Sequence, residues 1–144
     1  MRQTKAQAFL DTNVLLYAFS ADSSKAEKAE ALLARGGVVG LQVLNEFASV
    51  ARRKMRLAWP EIEDVLSLVR RRCSVRPLTL QVHEQALKLA SRYGFSWYDA
   101  LVVAAALEAS CAELLSEDLH DGLVVEGTLR IRNPFKDDMA PIPG

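Results

Sequence analysis

The chain alternates short apolar runs with longer stretches in which apolar residues recur every three or four positions. Ala8, Phe9 and Leu10 read as a short buried strand, followed by a helix through Val14, Leu15 and Ala18. A second helix is predicted over 24–35, opened by a serine cap and stopped by Gly36 and Gly37. Residues 38–41 form the next strand. Leu44, Phe47, Ala48, Ala51 and Met55 then repeat at helical spacing. Pro60 opens a helix running to about Cys73, because a first-turn proline gives up an N–H that had no partner anyway. A strand over 74–78, helices over 80–93 and 97–110, and strands over 113–115 and 129–132 complete the pattern. Strands alternating with helices predict an α/β fold of three layers, α/β/α, with a central, mainly parallel sheet flanked by helices.

Such sheets place ligands beyond the carboxyl ends of their strands. Asp11 directly follows the first strand and Asp118 lies just past the fourth, so two acids fall at that edge. Each acid has an ordinary alternative. Asp11 would serve as a helix N-cap, as would Thr12 or Asn13. Glu46 lies on the third helix among Val43, Ser49 and Val50, with no lysine or arginine one turn ahead to pair with it. Ser96 and Asp99 have capping-box spacing, but the helix that follows, Ala100 to Leu107, is apolar almost all round and therefore central. Capping and metal binding are compatible there. Spacing alone does not separate Asp118 from Glu117 or Asp121. Asp11, Glu46, Asp99 and Asp118 are the acids with the most apolar surroundings. Carboxylates that converge without cations repel one another, and a divalent cation relieves that repulsion. Oxygen-only donors suit Mg²⁺ or Mn²⁺ better than zinc.

Composition changes this picture little. The 144 residues fit one domain, 1–135, with a short tail over 136–144 that carries two prolines and two aspartates. Eighteen basic residues balance eighteen acidic ones, so no global basic field points to nucleic acid. The distribution is less even. Arg52, Arg53, Lys54, Arg56, Arg70, Arg71, Arg72 and Arg76 are opposed locally only by Glu61, Glu63 and Asp64. They read either as solvated helix faces or as phosphate contacts around an acidic centre, with Arg52, Arg53 and Arg56 the candidates for the latter. Cys73 and Cys111 match no metal or redox spacing and suit a reducing cytoplasm as buried thiols. Asp11 and Asn13 interrupt the N-terminal apolar stretch, which argues against a signal peptide, and no apolar run is long enough to span a membrane. His120 is a further candidate ligand or base, His83 reads as structural, and Trp97 and Tyr98 as base-stacking or packing aromatics.

Four pieces of sequence carry a family resemblance: Phe9-Leu10-Asp11-Thr12-Asn13-Val14-Leu15, Val43-Leu44-Asn45-Glu46-Phe47, Trp97-Tyr98-Asp99-Ala100-Leu101 with the alanine-valine run behind it, and Leu114-Leu115-Ser116-Glu117-Asp118-Leu119. In order and spacing the chain resembles PIN domains, and among them the toxin ribonucleases of VapBC toxin–antitoxin pairs. The resemblance spans residue 9 to about 135. It implies that Asp11, Glu46, Asp99 and Asp118 are the catalytic acids, with Asp118 favoured over Glu117 and Asp121. Asp11, Asp99 and Asp118 would hold Mg²⁺, with Mn²⁺ a substitute, while Asn13 and Ser116 support the site. It further implies an RNA substrate, a cognate antitoxin that blocks the site, and a homodimer. Competing expectations are a PIN nuclease of RNA processing or of DNA, a non-catalytic RNA- or protein-binding module, and a phosphoacceptor domain. The last wants a lysine immediately after a late strand, and none directly follows 113–115 or 129–132.

Overall fold

The structure, a computed structural model, describes residues 7–21 and 23–136. Among the described residues single strands alternate with pairs of helices, and three strands close the chain: β1 (Ala8–Leu10), α1 (Thr12–Ala18), α2 (Ser23–Arg35), β2 (Gly37–Gly40), α3 (Leu41–Arg53), α4 (Trp59–Arg72), β3 (Cys73–Arg76), α5 (Leu80–Tyr93), α6 (Trp97–Glu108), β4 (Glu113–Leu115), β5 (Val124–Val125) and β6 (Leu129–Arg132). They build one sheet of order β3-β2-β1-β4-β6-β5. Every pair is parallel except β5–β6. Helices α1 to α4 pack on one another and α5 packs along α6, leaving the sheet between two helical groups. The expected α/β architecture is therefore the observed one.

Strand β1 is central, and its short apolar sequence follows from that position. Phe9 and Leu10 are buried, as are Leu114 and Leu115 of the neighbouring β4. Helix α6 is buried along Ala100 to Ala106, which is why its sequence shows no polar face. Burial of Phe9, Phe47, Leu89 and Ile131, each almost free of solvent contact, anchors the two layers to the sheet. Full burial of such side chains contributes about 1.5–3 kcal/mol each.

Gly36 and Gly37 are fixed by sterics. Gly36 has φ +80°, and a Cβ on Gly37 would lie 2.6 Å from the Ala8 carbonyl oxygen. The chain passes too close to β1 there for any side chain. Element boundaries differ from expectation by a few residues. Helix α3 begins at Leu41 rather than Leu44, immediately after Gly40 ends β2. The two-residue β5 was not expected. It pairs antiparallel with β6 across a turn in which Glu126 (φ 50°) and Gly127 (φ 72°) both adopt left-handed backbone. Of the expected tail over 136–144, all but Lys136 lies outside the described residues. Among the described residues no helix is long and apolar enough to cross a membrane.

Candidate metal centre

From β1 the chain moves one way across the sheet to β2 and β3, and β4 is laid down on β1's other side. The switch point thus falls between β1 and β4, where sheets of this kind open a crevice at their carboxyl edge. Asp11 leaves β1 and Ser116, Glu117 and Asp118 leave β4, side by side in register. Backbone bonds hold the two segments. Asp11 N donates to the Leu115 carbonyl at 3.1 Å, and Ser116 N to the Arg132 carbonyl at 3.0 Å.

Asp11 is both the N-cap of α1 and the innermost acid. One carboxylate oxygen accepts from Thr12 N at 2.7 Å, the other from the Ser116 hydroxyl at 2.7 Å. Only 7% of its surface is exposed. Burial pushes its pKa up from 3.8 to about 6; the bonds from Ser116 and Thr12 pull it back, and the charges of Glu46 and Asp118 raise it further. Those two acids therefore act on Asp11 through space, although they lie 35 and 107 residues away along the chain.

Asn13 organises the rest. Its Nδ2 donates to Asp118 Oδ2 at 3.2 Å and to Ser116 Oγ at 3.3 Å, and its Oδ1 accepts from Glu117 N at 3.2 Å. The Asp118 N–H in turn donates to Ser116 Oγ at 3.2 Å. Ser116 is fully buried, so its hydroxyl is a hub that links Asp11, Asn13 and Asp118. Asn13 and Ser116, the two residues expected to support a site, bond directly to the acids Asp11 and Asp118. Asp118 itself is exposed, and Glu46 and Asp99 are half-buried, giving a site that runs from the buried Asp11 to solvent. Asp99 stands in the first turn of α6, where the helix dipole favours an anion, and its N–H donates to Ser96 Oγ at 3.4 Å. Asp99 does not perturb Asp11 as Glu46 and Asp118 do.

Among the described residues no three His, Cys, Asp or Glu side chains stand close enough together to hold an ion as they are placed. The donor chemistry nevertheless fits a hard divalent cation. A buried carboxylate faces two further acids, its own bonds come from a hydroxyl and a backbone N–H, and the buried Thr12 Oγ1 beside it has no hydrogen-bond partner. Oxygen donors and surplus negative charge are what Mg²⁺ and Mn²⁺ select.

Several residues escaped the sequence reading. Gln42 donates to Glu46 Oε1 at 3.2 Å; as an i,i+4 polar pair it was legible. Thr12 was read only as a cap. Tyr17 and Lys25 bind Glu117 across about a hundred residues, a contact no local signal announces. The arginines fall elsewhere than the innermost acids. Arg53 lies two turns along α3 from Glu46, about 10 Å at 1.5 Å per residue, and on the same helix face. Arg52 packs its guanidinium 4.9 Å from the Trp59 ring centre and donates to the Leu57 carbonyl, closing the corner between α3 and α4. Arg56 is exposed in left-handed backbone. His120 is exposed, and His83 meets the edge of Trp97. Tyr98 remains 64% exposed beside Asp99.

This fold and this crevice are those of a PIN domain. The family's pattern matches residues 8–120, and the chain belongs to the PIN-domain family. Solved structures of the same fold include a toxin–antitoxin complex from Klebsiella pneumoniae, with TM-score 0.67, 20% identity, and 88% of this chain and 97% of that one covered. A second is VapC20 of Mycobacterium tuberculosis, described as a sarcin–ricin-loop-cleaving toxin, with TM-score 0.63, 19% identity, and coverage of 77% and 91%. A third is VapBC2 of Rickettsia felis bound to a promoter DNA fragment, with TM-score 0.56, 18% identity, and coverage of 77% and 87%. No curated relative matches the sequence.

Proposed function

We propose that this PIN domain is a Mg²⁺-dependent endoribonuclease and the toxin of a type II toxin–antitoxin pair. The observation that carries the reading is Asp11, a carboxylate buried at the sheet's switch point and pressed by two other acids. A bound cation would relieve both the burial and the repulsion of that carboxylate. Asp11, Asp99 and Asp118 would hold the ion, with Glu46 binding directly or through water and Mn²⁺ able to substitute. When bound, the ion supplies an acidified water and neutralises charge at the leaving oxygen of a phosphodiester.

The chain's own residues do the positioning. Ser116 and Asn13 fix Asp11 and Asp118 relative to one another. Gln42 orients Glu46. Arg53, with Arg52 and Arg56 beyond it, offers contacts to phosphates flanking the cut. RNA as substrate is supported by the similarity to a toxin described as cleaving an RNA loop, and an antitoxin partner by the similarity to toxin–antitoxin complexes. Leu41, Leu78, Leu80 and Leu87, each more than 40% exposed, offer apolar surface for the antitoxin and for a homodimer contact. The reaction takes place in the cytoplasm, in keeping with two buried, unpaired thiols.

The test incubates the purified protein, freed of partner, with a structured RNA and Mg²⁺ or Mn²⁺, beside an EDTA control and the Asp99→Asn variant. Cleavage that needs both metal and Asp99 is the expected result. Wild-type cleavage by Asp99→Asn would sink the site assignment. Metal binding with cleavage of DNA but not RNA would move the substrate, and no metal binding at all would favour a non-catalytic module.

A further inference from the structure

Glu117 sits between two residues of the proposed metal centre, Ser116 and Asp118, yet its carboxylate is engaged by residues outside it. One oxygen accepts from the Tyr17 hydroxyl at 2.6 Å and the other from Lys25 Nζ at 2.6 Å. Lys25 also reaches the Tyr17 oxygen at 3.1 Å, closing a three-membered ring of charge-assisted bonds. The ring joins α1, α2 and the loop after β4. Tyr17 is braced by an edge-on contact with Phe135, ring centres 5.0 Å apart.

The ring connects directly to the acids. Tyr17 is one helical turn after Asn13, so both project from one face of α1. Asn13 receives the Glu117 N–H and donates to Asp118 and Ser116. The same three-residue loop is thus held at its side chain by Tyr17 and Lys25 and at its backbone by Asn13. A freed Glu117 carboxylate would stand next to Asp118 in a site whose acids already repel one another, and would be a rival donor for a cation. Paired with Lys25, its charge is spent outside the site.

We propose that Lys25 and Tyr17 are positioning residues of the metal centre: by holding Glu117 outward they present Asp118, and not its neighbour, to the cation. This rests on the metal-dependent reading above and assigns roles to residues that touch neither metal nor RNA. Partners that orient metal-ligating groups from behind typically change metal affinity by about 10–100-fold.

The test measures Mn²⁺ binding calorimetrically in the wild type, Lys25→Met, Lys25→Arg and Tyr17→Phe, with RNA cleavage alongside. Lys25→Met should bind Mn²⁺ about tenfold more weakly and cleave with reduced kcat and unchanged KM. Lys25→Arg, which keeps the cation, should recover most of both. Tyr17→Phe, which keeps the contact with Phe135, should weaken binding in the same direction, and the two lesions combined should cost less than the product of each alone because they break one ring. Tighter Mn²⁺ binding by Lys25→Met would overturn the proposal, since it would make Lys25 only a repelling charge. Unchanged Mn²⁺ affinity with a lowered Tm would overturn it in favour of a fold-supporting role. A raised KM with weaker salt dependence would make Lys25 an RNA contact and overturn it too. A wild type that binds no Mn²⁺ would instead overturn the metal-dependent reading itself, so the two failures are separable.

Discussion

Stability of the metal-free protein should fall as pH rises from about 4 to about 6.5. The cause is Asp11, whose carboxyl is displaced from 3.8 to about 6, first by burial and then by Glu46 and Asp118. A carboxyl with a raised pKa holds its proton more firmly when folded than when unfolded. The fold is therefore favoured while Asp11 is protonated, and loses that advantage as pH climbs through the folded pKa. Moving a carboxyl from 3.8 to about 6 corresponds to about 3 kcal/mol at 1.36 kcal/mol per pH unit. For a domain of this size that is about 10 °C in Tm. Asp121 and Glu126, whose pKa values are lowered by Asn133 N–H and by Arg92 respectively, work in the opposite sense, but their contribution is concentrated below their ordinary values of 3.8 and 4.5. Asp11 acts higher, between 3.8 and about 6. The assay is thermal unfolding in EDTA at half-unit pH steps, for the wild type and Asp11→Asn. The wild type should lose stability across the window and the variant should not. Excess Mn²⁺ should reverse the wild-type slope, because the ion binds the ionised acids and stabilises the fold by about 2.7 kcal/mol at a hundred times its Kd. A flat or rising curve in EDTA, or an equal fall in Asp11→Asn, would refute the assignment of strain to this carboxylate.

Four further outcomes are expected. Ser116→Ala removes a fully buried hydroxyl that serves Asp11, Asn13 and Asp118, and should cost about 1–3 kcal/mol in urea unfolding and most of the RNA cleavage. Gly37→Ala places a methyl 2.6 Å from the Ala8 carbonyl and should lower Tm sharply or yield insoluble protein, whereas alanine at the exposed Gly94, where no atom lies within 4 Å, should cost only the strain of φ +74°. Phe47→Ala empties a fully buried ring that meets Phe19 edge-on and should cost about 3–5 kcal/mol in the same assay. Burial raises the thiol pKa of Cys73 and pushes Cys111 up to about 11, so a disulfide exchange reagent should titrate neither thiol in the native protein at pH 8 and both after unfolding.

The sequence exposed the frame more readily than the contacts inside it. Strand β1 and helix α6 were legible because each is buried on all sides, and full burial removes the polar residues that otherwise blur a pattern. Strand β5 was not, since two residues carry no periodicity and its existence depends on the left-handed turn that returns the chain to β6. Position relative to strand ends pointed to Asp11 and to an acid in the loop after β4, because the topology rule needs only element order. Ser116 and Asn13 came from the family resemblance, and the structure gives the physical reason: one hydroxyl and one amide satisfy donors and acceptors on both sides of the crevice at once. Spacing left Glu117, Asp118 and Asp121 indistinguishable. What separates them is where their partners stand. The Glu117 carboxylate is taken by Lys25 and Tyr17 and that of Asp121 by Asn133 N–H and Lys136, whereas the Asp118 carboxylate accepts from Asn13 within the cluster. Lys25, the cation that engages Glu117, lies some ninety residues from it along the chain. Which acid of this loop is left facing Asn13 is therefore a tertiary property, set by partners on helices α1 and α2 rather than by the loop's own spacing.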